Sequence, residues 1–187
     1  IAFFGGVPGM FQALLQALDR PPARDFDRSS LRFLFTAGAA IPVEVVRAFE
    51  DHGLVLKQGF GQTETSILCC LEAEDAVRKA GSVGRPVKHA EIRVVARDSL
   101  KLPTDQWRDV ALGEKGEIVV RGPIAMLGYW NRPEATAEDI TDGWFHTGDI
   151  ATIDEDGFIQ IVDRKKEMVL RGGENIYCFE VESVLFA

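Results

Sequence analysis

The chain has 187 residues, with 29 acidic side chains against 21 basic ones, and the excess sits in one stretch: residues 114–163 carry eleven acids and three bases. That distribution disfavours a nucleic-acid binder built on a basic stripe, because nothing would offset phosphate repulsion. An apolar fraction of 46% excludes a disordered chain, and the length admits one domain, or one plus pieces of others.

The first eighteen residues carry no charge, but Gly5-Gly6, Pro8-Gly9, Gln12 and Gln16 interrupt the apolar run and no basic segment precedes it. A membrane-spanning or targeting segment is therefore not expected. The stretch reads as a strand end, a turn and a helix. Because it opens on Ile1 in mid-run, the chain is expected to be an internal piece of a longer protein. Pro8 suits the first turn of that helix, and Met10, Phe11, Leu14, Leu15 and Leu18 recur at helical spacing. Pro21-Pro22 ends it. Residues 31–36 predict a strand, Pro42 opens a second helix with Val43, Val46 and Phe49 facing the core, and Gly53 stands where a C-cap belongs. Residues 54–56 predict another short strand, which makes a strand–helix–strand alternation of the mostly parallel α/β kind.

After Gly81 the texture changes. Segments 90–96, 117–121 and 158–162 predict strands, and Asp154-Glu155-Asp156-Gly157 predicts a hairpin-type turn. Residues 97–113, charged and containing Pro103 and Trp107, read as a surface excursion, and 134–142 as a polar connection. Three units follow: 1–80, α/β; 81–165, β-rich and barrel-like; 166–187, a hinge and the start of a further domain.

Several segments have chemistry to offer. In Gln58-Gly59-Phe60-Gly61-Gln62-Thr63-Glu64, glycines flank an aromatic that can lie against a planar ligand. A Thr hydroxyl there can hold a phosphate oxygen, and Glu is a hard oxygen ligand suited to Mg²⁺. Taken alone, a plain β-turn explains the segment better. Trp144-Phe145-His146-Thr147-Gly148-Asp149 places a carboxylate just past a glycine turn, a usual way to bind the two hydroxyls of a ribose; alone, a structural Asp is the better reading. Asp163-Arg164-Lys165-Lys166-Glu167 reads as a charged loop between units. Ala80-Gly81-Ser82-Val83-Gly84 looks like a hydrolase nucleophile elbow, but an elbow needs a strand before the Ser and a helix after it. A charged helical stretch precedes this Ser and Arg85-Pro86 follows, so it is rejected. Cys69, Cys70 and Cys178, with His52, His89 and His146, show neither disulfide nor metal spacing and read as ordinary core or surface residues in a reducing, cytoplasmic protein.

Taken in order, the segments resemble the adenylate-forming superfamily in its acyl-CoA synthetase branch. The resemblance rests on Thr36-Ala37-Gly38-Ala39-Ala40-Ile41-Pro42, Gln58 to Thr65 and Gly81-Ser82-Val83-Gly84-Arg85-Pro86. It continues through Gly116-Glu117-Ile118-Val119-Val120-Arg121-Gly122-Pro123, Gly128-Tyr129-Trp130-Asn131 and Gly143 to Asp149. It ends on Asp163 to Glu167 with Gly172-Gly173-Glu174-Asn175-Ile176-Tyr177 and Glu180-Val181-Glu182. The fold it implies is the C-terminal part of a large N-terminal domain, an α/β sheet layer with a distorted small β-barrel, followed by the start of an α+β C-terminal domain. The implied reaction joins a carboxylic acid to the α-phosphate of ATP and then hands the acyl group to CoA. ATP, Mg²⁺ and CoA are the implied cofactors, and a fatty acid is the foremost candidate substrate.

By position, the resemblance gives Gly38, Ala39, Ala40, Gln58, Gly59, Phe60, Gly61, Gln62 and Thr63 to the nucleotide, with Asp149 and Arg164 on the ribose. Glu64 is the implied Mg²⁺ ligand, and Thr63 and Glu64 the catalytic pair. Lys166 is implied as the hinge, Gly172, Gly173 and Glu174 as the thiol side, and Gly38, Gly59, Gly61 and Leu68 as the acyl pocket. Phe60 stands where Tyr is commoner, and Cys178-Phe179 replaces a usual Pro and small residue. The family's Ser/Thr/Gly-rich phosphate loop and its late catalytic lysine have no counterpart among these residues, so the isolated 187 residues are expected not to complete adenylation. Nucleic acid and transmembrane anchoring are not expected, with peripheral membrane contact left open. A carrier-protein adenylation domain, a luciferase-like member and a non-catalytic AMP-binding remnant are the alternatives.

Overall fold

The computed structural model describes residues 2–21, 25–38, 41–165, 169–171 and 174–176. Pro8, with its φ preset for a first turn, starts α1 (Pro8–Leu18) directly after β1 (Phe3–Gly6). Phe11 and Leu18 are buried. Further on come β2 (Phe33–Ala37), α2 (Val43–Asp51), β3 (Leu56–Gln62), β4 (Ser66–Leu71), α3 (Ala73–Ala76) and β5 (Arg85–Pro86). Gly53, at φ +70°, closes α2 in the left-handed region a side chain would resist.

These five strands form one sheet in the order β1-β2-β3-β4-β5, with β1, β2 and β3 parallel and β5 antiparallel to β4. The helices stack by rings: Phe11 meets Phe49 edge-on at 5.9 Å, and both are fully buried. Val46 joins them in the core, whereas Val43 is only half-buried. The strand expected over 54–56 instead starts at Leu56 and continues through the Gly-Phe-Gly segment to Gln62. The reason is pairing: Leu34 to Ala37 lie opposite Leu56 to Gly59 in parallel register, so Gln58 and Gly59 belong to the ladder rather than to a turn.

The second sheet contains β6 (Glu91–Val95), β7 (Gly116–Arg121), β8 (Ile140–Thr141), β9 (Trp144–Ile153) and β10 (Ile159–Arg164). Its order is β10-β9-β7-β6, with β8 against β9, and its strand pairs are antiparallel. A short helix, α4 (Pro133–Asp139), occupies part of the segment expected to be a polar connection. Residues 97–113 depart from expectation more instructively. Trp107 is buried and packs with Val95, Val119, Trp144 and Leu100, and its indole N–H donates to the Leu102 carbonyl at 3.0 Å. Asp98, Lys101, Asp105, Arg108 and Asp109 are exposed around one aromatic anchor that contributes to the core, and Arg97 is half-buried. A separate two-stranded pair, β11 (Val169–Arg171) with β12 (Glu174–Ile176), ends the described chain.

The chain divides into two compact units, residues 1–63 with 67–87, and residues 64–66 with 88–187. Among the described residues no helix is long and apolar enough to cross a membrane.

Candidate functional site

In the first unit the implied nucleotide residues lie on β3 and just past β2. Ala37 pairs with Gly59, and Gly38 follows at φ +92°, so the chain leaves the sheet beside the Gly-Phe-Gly segment. Gly59 has a packing reason of its own: a Cβ there would fall inside the Phe35 ring. Gln58, Phe60, Gly61 and Gln62 are half-buried on β3, and Thr63 is exposed in the turn after it. Leu68 lies on β4 with no exposure. Gly84, at φ +97°, explains the Gly-Ser-Val-Gly segment, since any Cβ would overlap the Cys70 carbonyl. Ser82 accepts a hydrogen bond from the Gly84 N–H at 2.9 Å and leads into β5, not into a helix. Burial pushes the Cys69 thiol up to about 12 and raises that of Cys70 too, leaving neither a poised nucleophile.

In the second unit Glu64 is half-buried and its Oε1 lies 3.2 Å from the Tyr129 hydroxyl. The same hydroxyl lies 3.1 Å from Asp139 Oδ2. Burial first, then the flanking Asp139 and Glu64 carboxylates, push the Tyr129 phenol up to about 12, so it is the proton donor of the group. The Met126 N–H donates to the Glu64 carbonyl at 2.7 Å, and the Tyr129 N–H donates to Thr136 Oγ1 at 2.9 Å. Gly128, at φ +145°, lets the chain pass Thr136 at a distance no Cβ would allow. The segment 126–129 is thus fastened at both ends around the Glu64 carboxylate. That carboxylate is a hard anionic oxygen whose neighbour is a neutral phenol rather than a cation, and its donor chemistry fits a divalent magnesium ion.

Asp149 owes its position to an irregularity in β9. Glu117 pairs with Ile150 and Val119 with His146, so Thr147, Gly148 and Asp149 stand against Ile118 alone. The bulge is filled from within. Thr147 Oγ1 donates to the Ile118 carbonyl at 2.9 Å and accepts from the Asp149 N–H at 3.1 Å, while Gly148 takes φ +72°. Asp149 is buried, and Arg164, its partner across the β9–β10 ladder, approaches with Nε 3.3 Å from Oδ1. The carboxylate expected after a glycine turn therefore lies inside a long strand, on a bulge.

Beneath this bulge lies a charge for which sequence reasoning had no role. Glu117 is 1% exposed; its Oε2 is 3.2 Å from Lys165 Nζ and its Oε1 is 3.6 Å from His146 Nδ1. Burial alone would raise the Glu117 pKa, but His146 and Lys165 outweigh it and hold the carboxyl below its ordinary value. The signal in the sequence is a lone acid heading the apolar run Ile118-Val119-Val120. Of the remaining implied residues, Ala39, Ala40, Lys166, Gly172 and Gly173 lie outside the described residues, and Glu174 begins β12.

Residues 1–130 match the family described as AMP-binding enzyme. The chain belongs to that family. It is 44% identical over 97% of its length to a feruloyl-CoA synthase of Amycolatopsis, covering 35% of that protein. It is also 44% identical over 96% of its length to a long-chain-fatty-acid–CoA ligase of Salmonella typhimurium, covering 30% of it. The whole chain superposes on 36% of the O-succinylbenzoate coenzyme A synthetase of Bacillus subtilis in complex with ATP and magnesium ion, with TM-score 0.83 and 33% identity. The chain thus spans about a third of the length of the relatives it matches. Its α/β sheet and its curled antiparallel sheet are those of the adenylate-forming fold.

Proposed function

We propose that the protein is an ATP-dependent acid–thiol ligase: it activates a carboxylic acid as an acyl-adenylate and transfers the acyl group to CoA. The observation that carries this reading is the β9 bulge, which presents a buried Asp149 carboxylate with Arg164 against it. A buried acid on a bulge packed by Thr147 is an expensive arrangement for structure alone, and it suits the two hydroxyls of a ribose. The similarity to CoA synthetases and ligases supports the same reaction class. In the first step a carboxylate oxygen attacks the α-phosphorus of ATP and pyrophosphate leaves. In the second a thiol attacks the acyl carbon and AMP leaves.

The residues take the following parts. Asp149 accepts from the ribose hydroxyls, and Arg164 holds the carboxylate in place. Phe60 covers the adenine face, with Gly38, Ala39, Ala40, Gln58, Gly59, Gly61 and Gln62 giving backbone and small side-chain contacts around the nucleotide. Thr63 donates to a phosphate oxygen. Glu64, oriented by Tyr129, would hold Mg²⁺, which when bound neutralises charge on the phosphates. Lys166 serves as the hinge, Gly172, Gly173 and Glu174 border the thiol path, and Gly38, Gly59, Gly61 and Leu68 border the acyl chain. We place the domain divisions at 1–80, 81–165 and 166–187 and the protein in the cytoplasm, the buried free Cys69 being in keeping with a reducing compartment.

The acid is proposed as apolar, fatty or aromatic. The test is AMP release by the full-length protein across a panel of fatty, aryl and short-chain acids, each with and without CoA. Release that rises with an apolar acid and with CoA is expected; release indifferent to CoA would favour a carrier-protein or luciferase-like member instead.

A further inference from the structure

We propose that Glu117 is a positioning residue for nucleotide binding: from beneath the β9 bulge its buried carboxylate grips Lys165 and so fixes the Asp149–Arg164 pair. This rests on the reading of that pair as the ribose site. Arg164 is the last residue of β10, its side chain is 59% exposed, and the β9–β10 register has already slipped between Ile161 and Asp163. The ladder by itself therefore holds the arginine only at its last pair, Arg164 with Asp149. Two contacts seize the next residue. The Lys165 N–H donates to the Gly148 carbonyl at 2.8 Å, at the apex of the bulge, and Lys165 Nζ reaches Glu117 Oε2. Glu117 is thus bound to the strand opposite the bulge and, through Lys165, to the residue following Arg164.

The chemistry of Glu117 argues for such a role. A carboxylate taken out of water carries a desolvation cost that a well-packed apolar residue of the same volume avoids. Its Oε1 faces His146 Nδ1 at 3.6 Å, beyond hydrogen-bond distance, whereas Oε2 accepts from Lys165 Nζ at 3.2 Å, so its direct hydrogen bond among the described residues is to Lys165. His146 is held in turn, its ring edge-on to Trp107 at 5.4 Å and its Nε2 3.2 Å from Thr141 Oγ1. The carboxylate therefore sits between a held imidazole and Lys165, the residue that follows Arg164.

The test measures the affinity of the full-length protein for ATP and for 2′,3′-dideoxy-ATP by titration calorimetry. The wild type is expected to prefer ATP by about tenfold or more, the worth of hydrogen bonds to a charged group, and Asp149→Ala to abolish that preference. Glu117→Met, which fills the same space without charge, is expected to weaken ATP by about tenfold while leaving the dideoxy nucleotide unchanged, as a misplaced but intact binding group would. Lys165→Met should repeat the effect from the solvent side and Lys165→Arg should restore the preference; these decide the matter if Glu117→Met does not fold. Loss of stability alone would not move the ratio of the two nucleotides. A folded Glu117→Met or Lys165→Met protein with the wild-type ratio overturns the positioning role. A wild type that binds both nucleotides equally overturns the ribose reading itself.

Discussion

Glu117 shows how one side chain sets a pH dependence. Its carboxyl is held below the ordinary value by His146 and Lys165 against the opposing effect of burial. A carboxylate with a depressed folded-state pKa contributes stability above its unfolded pKa and loses it as pH falls through the folded one. The protein is therefore expected to lose melting temperature on acidification below about pH 5, where such groups begin to take up protons. In Glu117→Met that part of the decline should be absent, leaving a flatter profile in thermal melts between neutral and acid pH. An unchanged slope would mean that the Glu117 pair contributes nothing to folding. Gly59 is the opposite kind of residue, defined by what it lacks, since only a hydrogen fits against the Phe35 ring. The same glycine that the resemblance assigns to the nucleotide is thus also required by the sheet.

At the scale of elements, the charged segment 97–113 makes a sharp prediction. Trp107 is its one large buried side chain, meeting Trp144 at 6.3 Å between ring centroids. Trp107→Ala is expected to cost about 3–5 kcal/mol in chemical denaturation, as large-to-small changes at buried aromatics do; a cost under about 1 kcal/mol would mean that the segment is surface after all. In sequence, six nearby charges hid that anchor. The helices were legible because Pro8, Pro42 and Gly53 mark their ends and Phe11, Val46 and Phe49 keep helical spacing. The strand β9 was not, for a physical reason: the bulge at Thr147–Asp149 breaks the period of two on which recognition of strands depends. The β3 boundary was missed because glycines suggest a turn, whereas here pairing with β2 overrides that preference. For the site, residue types at Glu64, Asp149 and Arg164 could be read directly, but their supports could not. Tyr129 reaches Glu64 across 65 positions and Lys165 reaches Glu117 across 48, and no local pattern announces such pairs.

At the scale of the molecule, two compact units each carry part of the proposed chemistry. One has the β3 nucleotide segment, and the other has Glu64 with Tyr129 and the Asp149 bulge. The acidic stretch 114–163 divides among these structures. Glu117 and Asp149 are buried and functional in this reading, Asp139 contacts Tyr129, and Asp154 caps the turn into β10 by accepting from the Phe158 N–H at 2.9 Å. Whether these residues serve acid activation by ATP is decided by ATP–pyrophosphate exchange in the full-length protein. Exchange is expected to require both a carboxylic acid and Mg²⁺ and to fall by about a hundredfold or more in Asp149→Ala. Exchange that proceeds without any acid, or that is unchanged in Asp149→Ala, would contradict that role.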